Sequence, residues 1–459
     1  MHDLSRLVSS NPTLNAIQDL FSPKTYLVGG CIRDMLRGQE PQDFDIVTFS
    51  DVGTLADKIS KRFSSTAFWM DKRRGVVRIS LKDSVITIDI SSPKGDDILA
   101  DLRKRDITIN AIGYAVSTKE LIDPLGGLTD LDYGVIRLIS EDNLKDDPAR
   151  VVRCLRFSVV LGFPIAASSV ALLKKYAFLL KNVSPERVKQ EFMKALSDPN
   201  GSRFFTLMEG TGVIEALFSD SGKQVKGLRS ALLLAREIDG LIYDAAKLLP
   251  GSPRILAEDV EAGLSRASLL RLAAFVFGII HYSETKEIRK STVSPMVIPE
   301  QGILSAGEIC SSLRFSSRAV SSINRMIASQ KRVHEILYQS DLPIRLVHLL
   351  CEEASPAFVE TLLLAWAWKR SQDSARKAVS EHVRLKGKIQ KVWHYFEDVY
   401  QVQKQTQLID GNDIIQVLGI SPGPLVGRLL LAVETARAEG VVNTRDEAID
   451  HLHELTHSI

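Results

Sequence analysis

The stretch that decides the fold is LVGGCIRDMLRGQEPQDFDIV, residues 27–47. Its pattern predicts a strand that ends in two glycines, then a short helix, then a second strand. Side chains alternate along a strand, so Asp43 and Asp45 should share one face while Phe44 and Ile46 point into a core on the other. Two neighbouring carboxylates repel each other, and divalent cations relieve that repulsion. The stretch therefore predicts a metal site at Asp43 and Asp45.

Two glycines precede this pair of acids. Gly29 and Gly30 stand where the first strand ends and the helix begins. Glycine lets the backbone approach a phosphate closely, and N–H groups at a helix start are free to bind it. Arg33, one turn into the helix, is placed to neutralise the same phosphate. Either motif alone is more often an ordinary turn or a solvated strand edge. The two together, twelve residues apart, match the signature of the nucleotidyltransferase superfamily that includes DNA polymerase β.

Two further strands follow in the segments GVVRISL and SVITIDIS. The connection between them is short and favours antiparallel pairing, so the head should contain a small mixed sheet. Asp89 lies in the second of these strands and is the natural candidate for a third metal-binding carboxylate. An acid that alternates with Ile88 and Ile90 is explained equally well as a solvent-facing side chain. The pattern leaves the role of Asp89 open.

Beyond about residue 140 the pattern is almost entirely helical. Two helices are marked by their caps and amphipathic spacing, one beginning at Asp147 and one at Ser184. Residues 205–400 form a series of helices, and a last unit with Gly and Pro between short helices begins near residue 401. We therefore expect an α+β protein in which a small mixed-sheet head, residues 1–140, is followed by an all-α remainder.

Composition narrows the classes of function. The chain has 459 residues, of which 45% are hydrophobic and 25% charged, as in a folded protein of several domains. Its net charge is +2, so any nucleic-acid contact must be local. The four cysteines form no CxxC pair, which argues against a zinc ribbon or a disulfide framework. No apolar stretch is long enough to span a bilayer and the N-terminus lacks a signal-peptide pattern, so we expect a cytoplasmic protein.

The order of several motifs resembles class II tRNA nucleotidyltransferases, which are the CCA-adding enzymes and their relatives. These motifs are LVGGCIRDMLRG with DFDIV, DLRKRDITINAIGY, LIDPLGGLTDL, DDPARVVRCLRFSVVLGF and SPERVKQEF. The resemblance is dense over residues 24–195 and returns near the C-terminus in LGISPGPLVG. Bacterial poly(A) polymerases share the N-terminal motifs. The family resemblance implies a DNA polymerase β-like head (1–140), a helical neck (141–204), a helical body with a degenerate HD-like region (205–400) and a tRNA-binding helical tail (401–459).

For the metal and the triphosphate, the resemblance assigns roles to the motifs described first. It implies that Asp43 and Asp45 bind two Mg²⁺ ions, which activate the tRNA 3′-hydroxyl and hold the triphosphate. Gly29, Gly30 and Arg33 are implied to contact the nucleotide through that triphosphate.

The segment RKRDITINAI carries the next implied contacts. Arg105 and Asp106 are placed beside the incoming ribose and triphosphate, with Asn110 fixing the loop. Where the family has a further arginine this chain has Lys104, which keeps the charge but loses the bidentate fork. We leave Lys104 out of the predicted site.

The helix predicted from Asp147 carries Asp147, Arg150, Arg153 and Arg156 at intervals of three. This spacing forms a ridge opposite an apolar face, and taken alone it is typical of intrahelical ion pairs. The resemblance implies instead a protein template, in which Asp147 and Arg150 read the base edge of CTP or ATP. Arg153 and Arg156 would support them or hold phosphate.

Two later motifs are predicted to carry no chemistry. Glu186, Arg187 and Glu191 match the last family motif, which is implied to brace the template helix. Phe277-Gly278 stands where the helix of an HD phosphohydrolase has its metal-binding His-Asp pair. We therefore expect no phosphohydrolase activity.

Together these features predict a magnesium-dependent tRNA nucleotidyltransferase that adds C and/or A residues of the 3′-terminal CCA from CTP and ATP, with release of pyrophosphate. An A-adding or CC-adding enzyme that relies on a second nucleotidyltransferase to complete CCA is an open alternative, as is a poly(A) polymerase. A non-enzymatic RNA-binding protein on this fold is disfavoured, because adjacent carboxylates are costly to keep without a metal. The expected partners are tRNA, ATP and CTP, with no membrane.

Overall fold

The computed structural model describes residues 4–218, 227–288, 300–372 and 379–457 of the 459-residue chain. It contains two compact units. The first comprises Met1–Glu191 with Leu207–Leu217, and the second comprises Phe192–Thr206 with Phe218–Ile459. The four-part division expected from the sequence is finer than these two units and stays a prediction.

The first unit is built on a seven-stranded sheet with the order β3-β4-β5-β2-β1-β6-β7. The strands are β1 (Thr25–Val28), β2 (Asp43–Thr48), β3 (Thr66–Asp71), β4 (Val76–Ser80), β5 (Thr87–Ser91), β6 (Gly113–Ala115) and β7 (Glu120–Ile122). β2 and β5 run parallel, and the other neighbouring strands of this sheet run antiparallel. The predicted mixed sheet and the predicted antiparallel pairing of β4 with β5 are confirmed, and β3, β6 and β7 extend the sheet beyond the four expected strands.

Helices make up most of the rest. Up to residue 218 they are α1 (Leu4–Ser10), α2 (Pro12–Asn15), α3 (Gly30–Leu36), α4 (Val52–Arg62), α5 (Ile98–Arg103), α6 (Gly127–Asp132), α7 (Glu141–Asp146), α8 (Arg150–Leu161), α9 (Ala167–Tyr176), α10 (Pro185–Leu196), α11 (Arg203–Met208) and α12 (Val213–Phe218). Short 3₁₀ segments lie at Gln18–Leu20, Thr108–Asn110 and Ala177–Asn182.

From residue 227 onward the helices are α13 (Leu228–Tyr243), α14 (Ala245–Leu248), α15 (Ser252–Ala257), α16 (Arg266–Ile288), α17 (Glu300–Ser312), α18 (Ser317–Ala328), α19 (Gln330–Tyr338), α20 (Ile344–Ala354), α21 (Phe358–Gln372), α22 (Val379–Tyr395), α23 (Gln401–Gln405), α24 (Gly411–Leu418), α25 (Pro424–Ala438) and α26 (Arg445–His457). A π-helical turn spans Phe396–Tyr400, and a small hairpin joins β8 (Asp259–Glu261) to β9 (Leu264–Ser265). That hairpin is the exception to the all-α expectation. In the described parts of the chain, no helix is both long and apolar enough to cross a membrane.

The two faces of the large sheet are used differently. Phe44 and Ile46 of β2 lie in the larger core together with Ile32 of α3 and Ile59 of α4, as the alternation along the strand predicted. On the opposite face Val47 belongs to a smaller cluster beside α5. The two carboxylates of β2 lie on this second, less covered face.

The helix predicted to begin at Asp147 begins three residues later. α8 starts at Arg150, with Ala149 in the capping position. Asp147 has φ −144° and ψ 89° and lies between α7 and α8. Proline disfavours helical backbone angles at the preceding residue, and Pro148 has this effect on Asp147. Asp147 therefore is not part of the helical ridge that the spacing suggested.

Two helices of the second unit cross closely at Gly278. A Cβ atom at this position would lie 2.3 Å from the Cα atom of Ala231 and 2.7 Å from its backbone nitrogen, so α16 accepts no side chain here against α13. Phe277 is buried edge-on to Trp368, with 5.3 Å between ring centroids. The position that needs a metal-binding Asp in an HD hydrolase is therefore occupied by a helix crossing in this chain.

Candidate functional site

Three carboxylates lie on one face of the sheet where β2 and β5 run parallel. Asp45 pairs in register with Asp89, and Asp43 with Thr87. Side chains of partners in register point to the same face, so Asp89 lies beside the predicted pair of acids. The hydroxyl of Thr87 donates a hydrogen bond to Asp43. The register thus brings together Asp43, Asp45 and the acid whose place the sequence had left open.

An arginine from the next strand holds Asp89. Arg78 of β4 is the cross-strand partner of Asp89 and donates hydrogen bonds of 2.7 Å and 2.6 Å to its two carboxylate oxygens. Such a bidentate, charge-assisted pair fixes the orientation of the carboxylate. The sequence analysis did not single out Arg78, because only the pairing of β4 with β5 places it opposite an acid.

The pKa of Asp45 is raised above the ordinary carboxyl value. Burial raises the pKa of Asp45, and the carboxylates of Asp89 and Asp43 raise it further, while Arg105 and Arg153 oppose the rise. Hard divalent cations prefer carboxylate oxygen ligands and remove this kind of repulsion. The residues present therefore fit a divalent metal ion at Asp43 and Asp45, with Asp89 within reach of the same face.

Gly29 fits between two functional side chains. Its φ is 79°, and a Cβ atom there would lie 2.8 Å from Nη1 of Arg105 and 2.8 Å from Oδ2 of Asp45. Any side chain at this position would collide with both groups and would also strain the backbone. Gly30 is the first residue of α3. The double glycine therefore brings the start of α3 against Asp45 and Arg105. The close approach predicted from the sequence was that of a phosphate, and it stays a prediction.

Arg33 is buried inside a hydrogen-bond network. Its guanidinium donates two hydrogen bonds of 2.9 Å to Asp34 and one of 2.7 Å to Asn110. The amide of Asn110 in turn donates to Asp106 over 3.2 Å. Arg33 thus connects α3 to the loop of the RKRD motif, and a phosphate contact by Arg33 would need at least one of these hydrogen bonds to be exchanged.

Asp106 is the centre of that network. It accepts a hydrogen bond from its neighbour, the backbone amide of Ile107, and one guanidinium nitrogen of Arg153 lies 2.7 Å from its carboxylate. Burial by itself would raise the pKa of Asp106, but Arg153 and the hydrogen bond from Asn110 outweigh it, so that the pKa is lowered. Asp106 is therefore a buried anion that positions Arg153.

Arg150 anchors the RKRD loop to the start of α8. It donates hydrogen bonds of 2.6 Å to the carbonyl oxygen of Lys104 and 3.1 Å to that of Arg105. Asn143 of α7 donates to the carbonyl oxygens of Arg103 and Arg105, each over 2.8 Å. The loop and the helix are consequently one hydrogen-bonded framework. Sequence reasoning missed Asn143, because its contacts are with distant backbone oxygens.

Arg105 is held from the other side by an acid that the sequence analysis also missed. Asp101 of α5 is buried and accepts hydrogen bonds of 3.3 Å and 3.2 Å from the guanidinium of Arg105. It also accepts one from the backbone amide of Lys94 over 2.9 Å. An acid four residues before an arginine near a helix end was a usable signal for this pair.

The residues of the last motif brace the template region, as the resemblance implied. Arg187 of α10 donates a hydrogen bond of 2.9 Å to Asp147, and Glu191 accepts one from Arg156 of α8. The second carboxylate oxygen of Asp147 and Nε of Arg153 are buried and have no hydrogen-bond partner among the described residues. The edge of a base carries donors and acceptors that would satisfy this carboxylate oxygen and this N–H group.

Phe157 lies among three of the predicted arginines. The guanidinium carbon of Arg156 is 3.9 Å from the centroid of the Phe157 ring, and those of Arg33 and Arg153 are 5.7 Å and 5.8 Å away. Cations gain by lying close to an aromatic ring. Phe157 therefore links α3 to the arginines of α8. Phe157 was not among the residues predicted from the sequence.

The chain is similar to several known proteins over much of its length. Residues 25–137 match the model described as the poly A polymerase head domain, and residues 162–222 match the probable RNA and SrmB-binding site of polymerase A. The CC-adding tRNA nucleotidyltransferase of Geobacter sulfurreducens is 29% identical over 436 residues, covering 93% of this chain and 91% of that protein. The A-adding tRNA nucleotidyltransferase of Deinococcus radiodurans is 27% identical over 453 residues, covering 93% and 94%.

The fold agrees with a solved structure over nearly the whole chain. A CCA-adding enzyme in an apo form has a TM-score of 0.70 to this structure at 21% identity, with 99% of this chain and 97% of that chain covered. The predicted fold class, a mixed-sheet head followed by a largely helical remainder, is therefore confirmed.

Proposed function

The chain belongs to the family of class II tRNA nucleotidyltransferases and bacterial poly(A) polymerases, and on that premise we propose that it adds C and/or A residues of the 3′-terminal CCA to tRNA. In this reaction the tRNA 3′-oxygen forms a bond to the α-phosphorus of CTP or ATP, the bond to the β-phosphate breaks, and pyrophosphate leaves. The observation that carries the proposal is the row of Asp43, Asp45 and Asp89 on one sheet face beside Gly29.

We assign the metal to this row. Mg²⁺ bound at Asp43 and Asp45 supplies the charge that activates the 3′-hydroxyl and neutralises the triphosphate. Asp45 contributes a carboxylate whose pKa is raised by desolvation and by its neighbours Asp89 and Asp43, and positive charge beside it favours the ionised form. Asp89, fixed by Arg78, would be the third carboxylate on the same face.

The nucleotide would lie between the double glycine and the RKRD loop. Gly29 and Gly30 leave room for phosphate at the start of α3, and Arg105, held by Asp101, lies beside Gly29 to neutralise it. Arg33 would bind phosphate by exchanging its hydrogen bonds with Asp34 or Asn110. Asp106, which belongs to the same loop, would lie beside the ribose and the triphosphate.

Selection of the base would come from the template region. The free oxygen of Asp147 and the free Nε of Arg153 offer one acceptor and one donor to the edge of a base. Arg150 fixes the loop that faces them, and Arg156, paired with Glu191, keeps α8 in place against α10. In this arrangement Asp147 and Arg153 would contact the base, and Arg156 would shape the pocket. The resemblance implied Arg150 as the second base-reading residue, but two of its guanidinium nitrogens donate to the loop.

The number of nucleotides added follows from a direct assay. Purified protein with Mg²⁺ is incubated with tRNA transcripts that end at the discriminator base, at C and at CC, with CTP and ATP supplied singly and together. Three additions ending in A on the shortest transcript identify a complete CCA-adding enzyme. The two relatives reported above are named CC-adding and A-adding tRNA nucleotidyltransferases. Arrest after CC, or extension of the CC transcript only, would identify an enzyme that adds part of CCA and needs a second nucleotidyltransferase to complete it.

The remaining outcomes separate the other candidates. Long A tracts identify a poly(A) polymerase, and absence of incorporation on all three transcripts contradicts the proposed transferase.

We further propose the division into head (1–140), neck (141–204), body (205–400) and tRNA-binding tail (401–459), and a cytoplasmic site of action.

A further inference from the structure

An edge strand of the sheet carries large apolar side chains in solvent. β3 is the outermost strand next to β4, and the exposed fractions of Phe68 and Trp69 are both 43%, while that of Met70 is 54%. Exposed apolar groups on an edge strand favour aggregation unless another molecule covers them. The mechanism described above uses none of these side chains.

The pairing of the strands places Phe68 in line with Asp89 and Asp45 across the sheet. Phe68 of β3 is paired with Arg78 of β4, Arg78 with Asp89 of β5, and Asp89 with Asp45 of β2. Partners in register share a face of the sheet. The exposed ring of Phe68 and the candidate metal ligands therefore lie on the same face.

Trp69 lies on the other face of the same strand. It is paired with Val77, a member of the larger core, and its ring lies 3.4 Å from the place a Cβ atom would occupy on Gly53 at the start of α4. Two aromatic side chains of equal exposure are thus adjacent in sequence, and only Phe68 faces the site.

The distance along the row suits a nucleic-acid chain. Neighbouring strands lie about 4.8 Å apart, so the backbone of Phe68 is about 10 Å from that of Asp89 and about 14 Å from that of Asp45. With a rise of about 3.4 Å per stacked nucleotide, this corresponds to about three or four nucleotides.

The turn that follows β3 is basic. Lys72, Arg73 and Arg74 are exposed in the connection between β3 and β4. Aromatic rings beside a basic groove are the combination with which proteins bind single-stranded nucleic acid, because bases stack on the rings while cations follow the phosphates. The charge of this turn favours an RNA over an acidic or apolar protein surface.

We propose that Phe68 is a stacking platform for the unpaired 3′ end of the RNA substrate, with the phosphates running past residues 72–74. The ring receives a base a few nucleotides before the reacting 3′-hydroxyl, and the row from Phe68 to Asp45 is the path of the RNA end. This inference rests on the proposed function, because it takes tRNA as the substrate. Phe68 touches the substrate away from the reacting atoms.

The test compares Phe68→Ala with Trp69→Ala, a control of equal exposure on the same strand. The probe is a tRNA transcript with 2-aminopurine in its unpaired 3′ end, titrated in EDTA without nucleotide. Wild type and Trp69→Ala should quench the fluorescence, and Phe68→Ala should bind about 10-fold more weakly with less quenching, because one stacked base is lost. Phe68→Trp should restore both.

Turnover gives an independent readout. Phe68→Ala should raise KM for tRNA about 10-fold and leave kcat almost unchanged, since stacking contributes to binding and not to bond formation. Equal quenching and equal KM for Phe68→Ala and Trp69→Ala would overturn the platform, as would an absence of quenching with wild type. Failure of the proposed function is recognised separately, because wild type would then extend no transcript although the fluorescence titration reports RNA binding.

Discussion

Arg187 donates a hydrogen bond of 2.9 Å to Asp147 and leaves the other carboxylate oxygen of Asp147 buried without a partner. The same contact lowers the pKa of Asp147. Burial would raise this pKa, but the hydrogen bond and the charge of Arg187 lower it below the ordinary value of 3.8. Arg187 lies outside the helix that carries the arginines and, in the proposed function, would act on the base through Asp147.

We therefore expect Arg187→Ala to weaken the selection between CTP and ATP. The loss of one partly exposed, charge-assisted hydrogen bond should reduce the ratio of kcat/KM values for the two nucleotides about 10-fold. Lys194→Ala, which removes an exposed cation from the same helix, is the control. An unchanged ratio in single-nucleotide kinetics would contradict a positioning role for Arg187.

The same substitution has a defined pH dependence. A carboxyl whose folded-state pKa is lowered stabilises the protein above its ordinary pKa, and this stabilisation is lost as the pH falls through the lower folded-state value. In Arg187→Ala the pKa of Asp147 should rise, so the variant should be less stable than wild type above the ordinary carboxyl pKa and should lose less stability as the pH falls. Urea unfolding between pH 3 and pH 6, values chosen about the ordinary carboxyl pKa, measures the difference. Coincident profiles for the two proteins would count against the effect.

Replacement of Asp45 by Asn should abolish catalysis and increase the stability of the protein. Its pKa is raised, so the ionised form costs folding free energy at neutral pH, and Asp45→Asn removes that cost. We expect Asp45→Asn to abolish nucleotide incorporation, to keep tRNA binding and to melt at a higher temperature than wild type in EDTA. Mg²⁺ should raise the Tm of wild type and leave that of the variant unchanged.

The control for Asp45 is Asp57→Asn, which neutralises an exposed acid on α4. It should retain full turnover and the response to Mg²⁺. Turnover by Asp45→Asn at the wild-type rate would remove the metal assignment.

Gly29 can be compared with a glycine of similar backbone conformation. Gly29→Ala introduces a Cβ atom 2.8 Å from both Arg105 and Asp45, whereas Gly38, with φ 71°, has no atom within 4 Å of the corresponding position. Both substitutions should cost about 1–2 kcal/mol of stability through positive φ. Only Gly29→Ala should lower kcat/KM, by about 100-fold, because it displaces two site residues. Similar kinetic losses in both variants would mean that backbone strain, and not the close approach, matters.

The close crossing of α13 and α16 at Gly278, where an HD hydrolase would have a metal ligand, can be tested by substitution. Gly278→Ala should destabilise the protein by about 3 kcal/mol, because α13 and α16 must move apart. Gly240→Ala on α13 has open space and should stabilise it by about 0.5–1 kcal/mol. Chemical denaturation measures both changes. Wild type should show no metal-dependent hydrolysis of 2′,3′-cyclic phosphates, and robust hydrolysis would contradict the assignment of this helix.

The sequence was sufficient for strands that alternate in burial or carry a run of buried residues beside a motif. β4 and β5 alternate, whereas β1 and β2 have runs of buried residues and were predicted from the double glycine and the DFD segment. β6 and β7 have three residues each, and β3 is exposed on both faces, so none of the three shows the alternation that marks a half-buried strand.

The candidate site was predictable where motifs are local and not where contacts are distant. The double glycine and the DFD segment lie within one short stretch, so their spacing was enough. Asp89 needed the parallel pairing of β2 with β5, which is separated by two further strands along the chain. Asp147 was placed on the ridge of α8 from its spacing of three residues to Arg150, although as the residue before Pro148 it has extended backbone and lies outside the helix.

Arg150 and Asn143 bind the carbonyl oxygens of residues 103–105 and none of their side chains. Hydrogen bonds to main-chain oxygens do not depend on which side chain each position of the loop carries. Lys104, which replaces a common arginine of the family, is therefore accommodated without loss of the anchor. The anchor keeps the backbone of the loop in place whatever side chain position 104 carries, so a substitution there would alter what this segment recognises without rebuilding the framework that presents it.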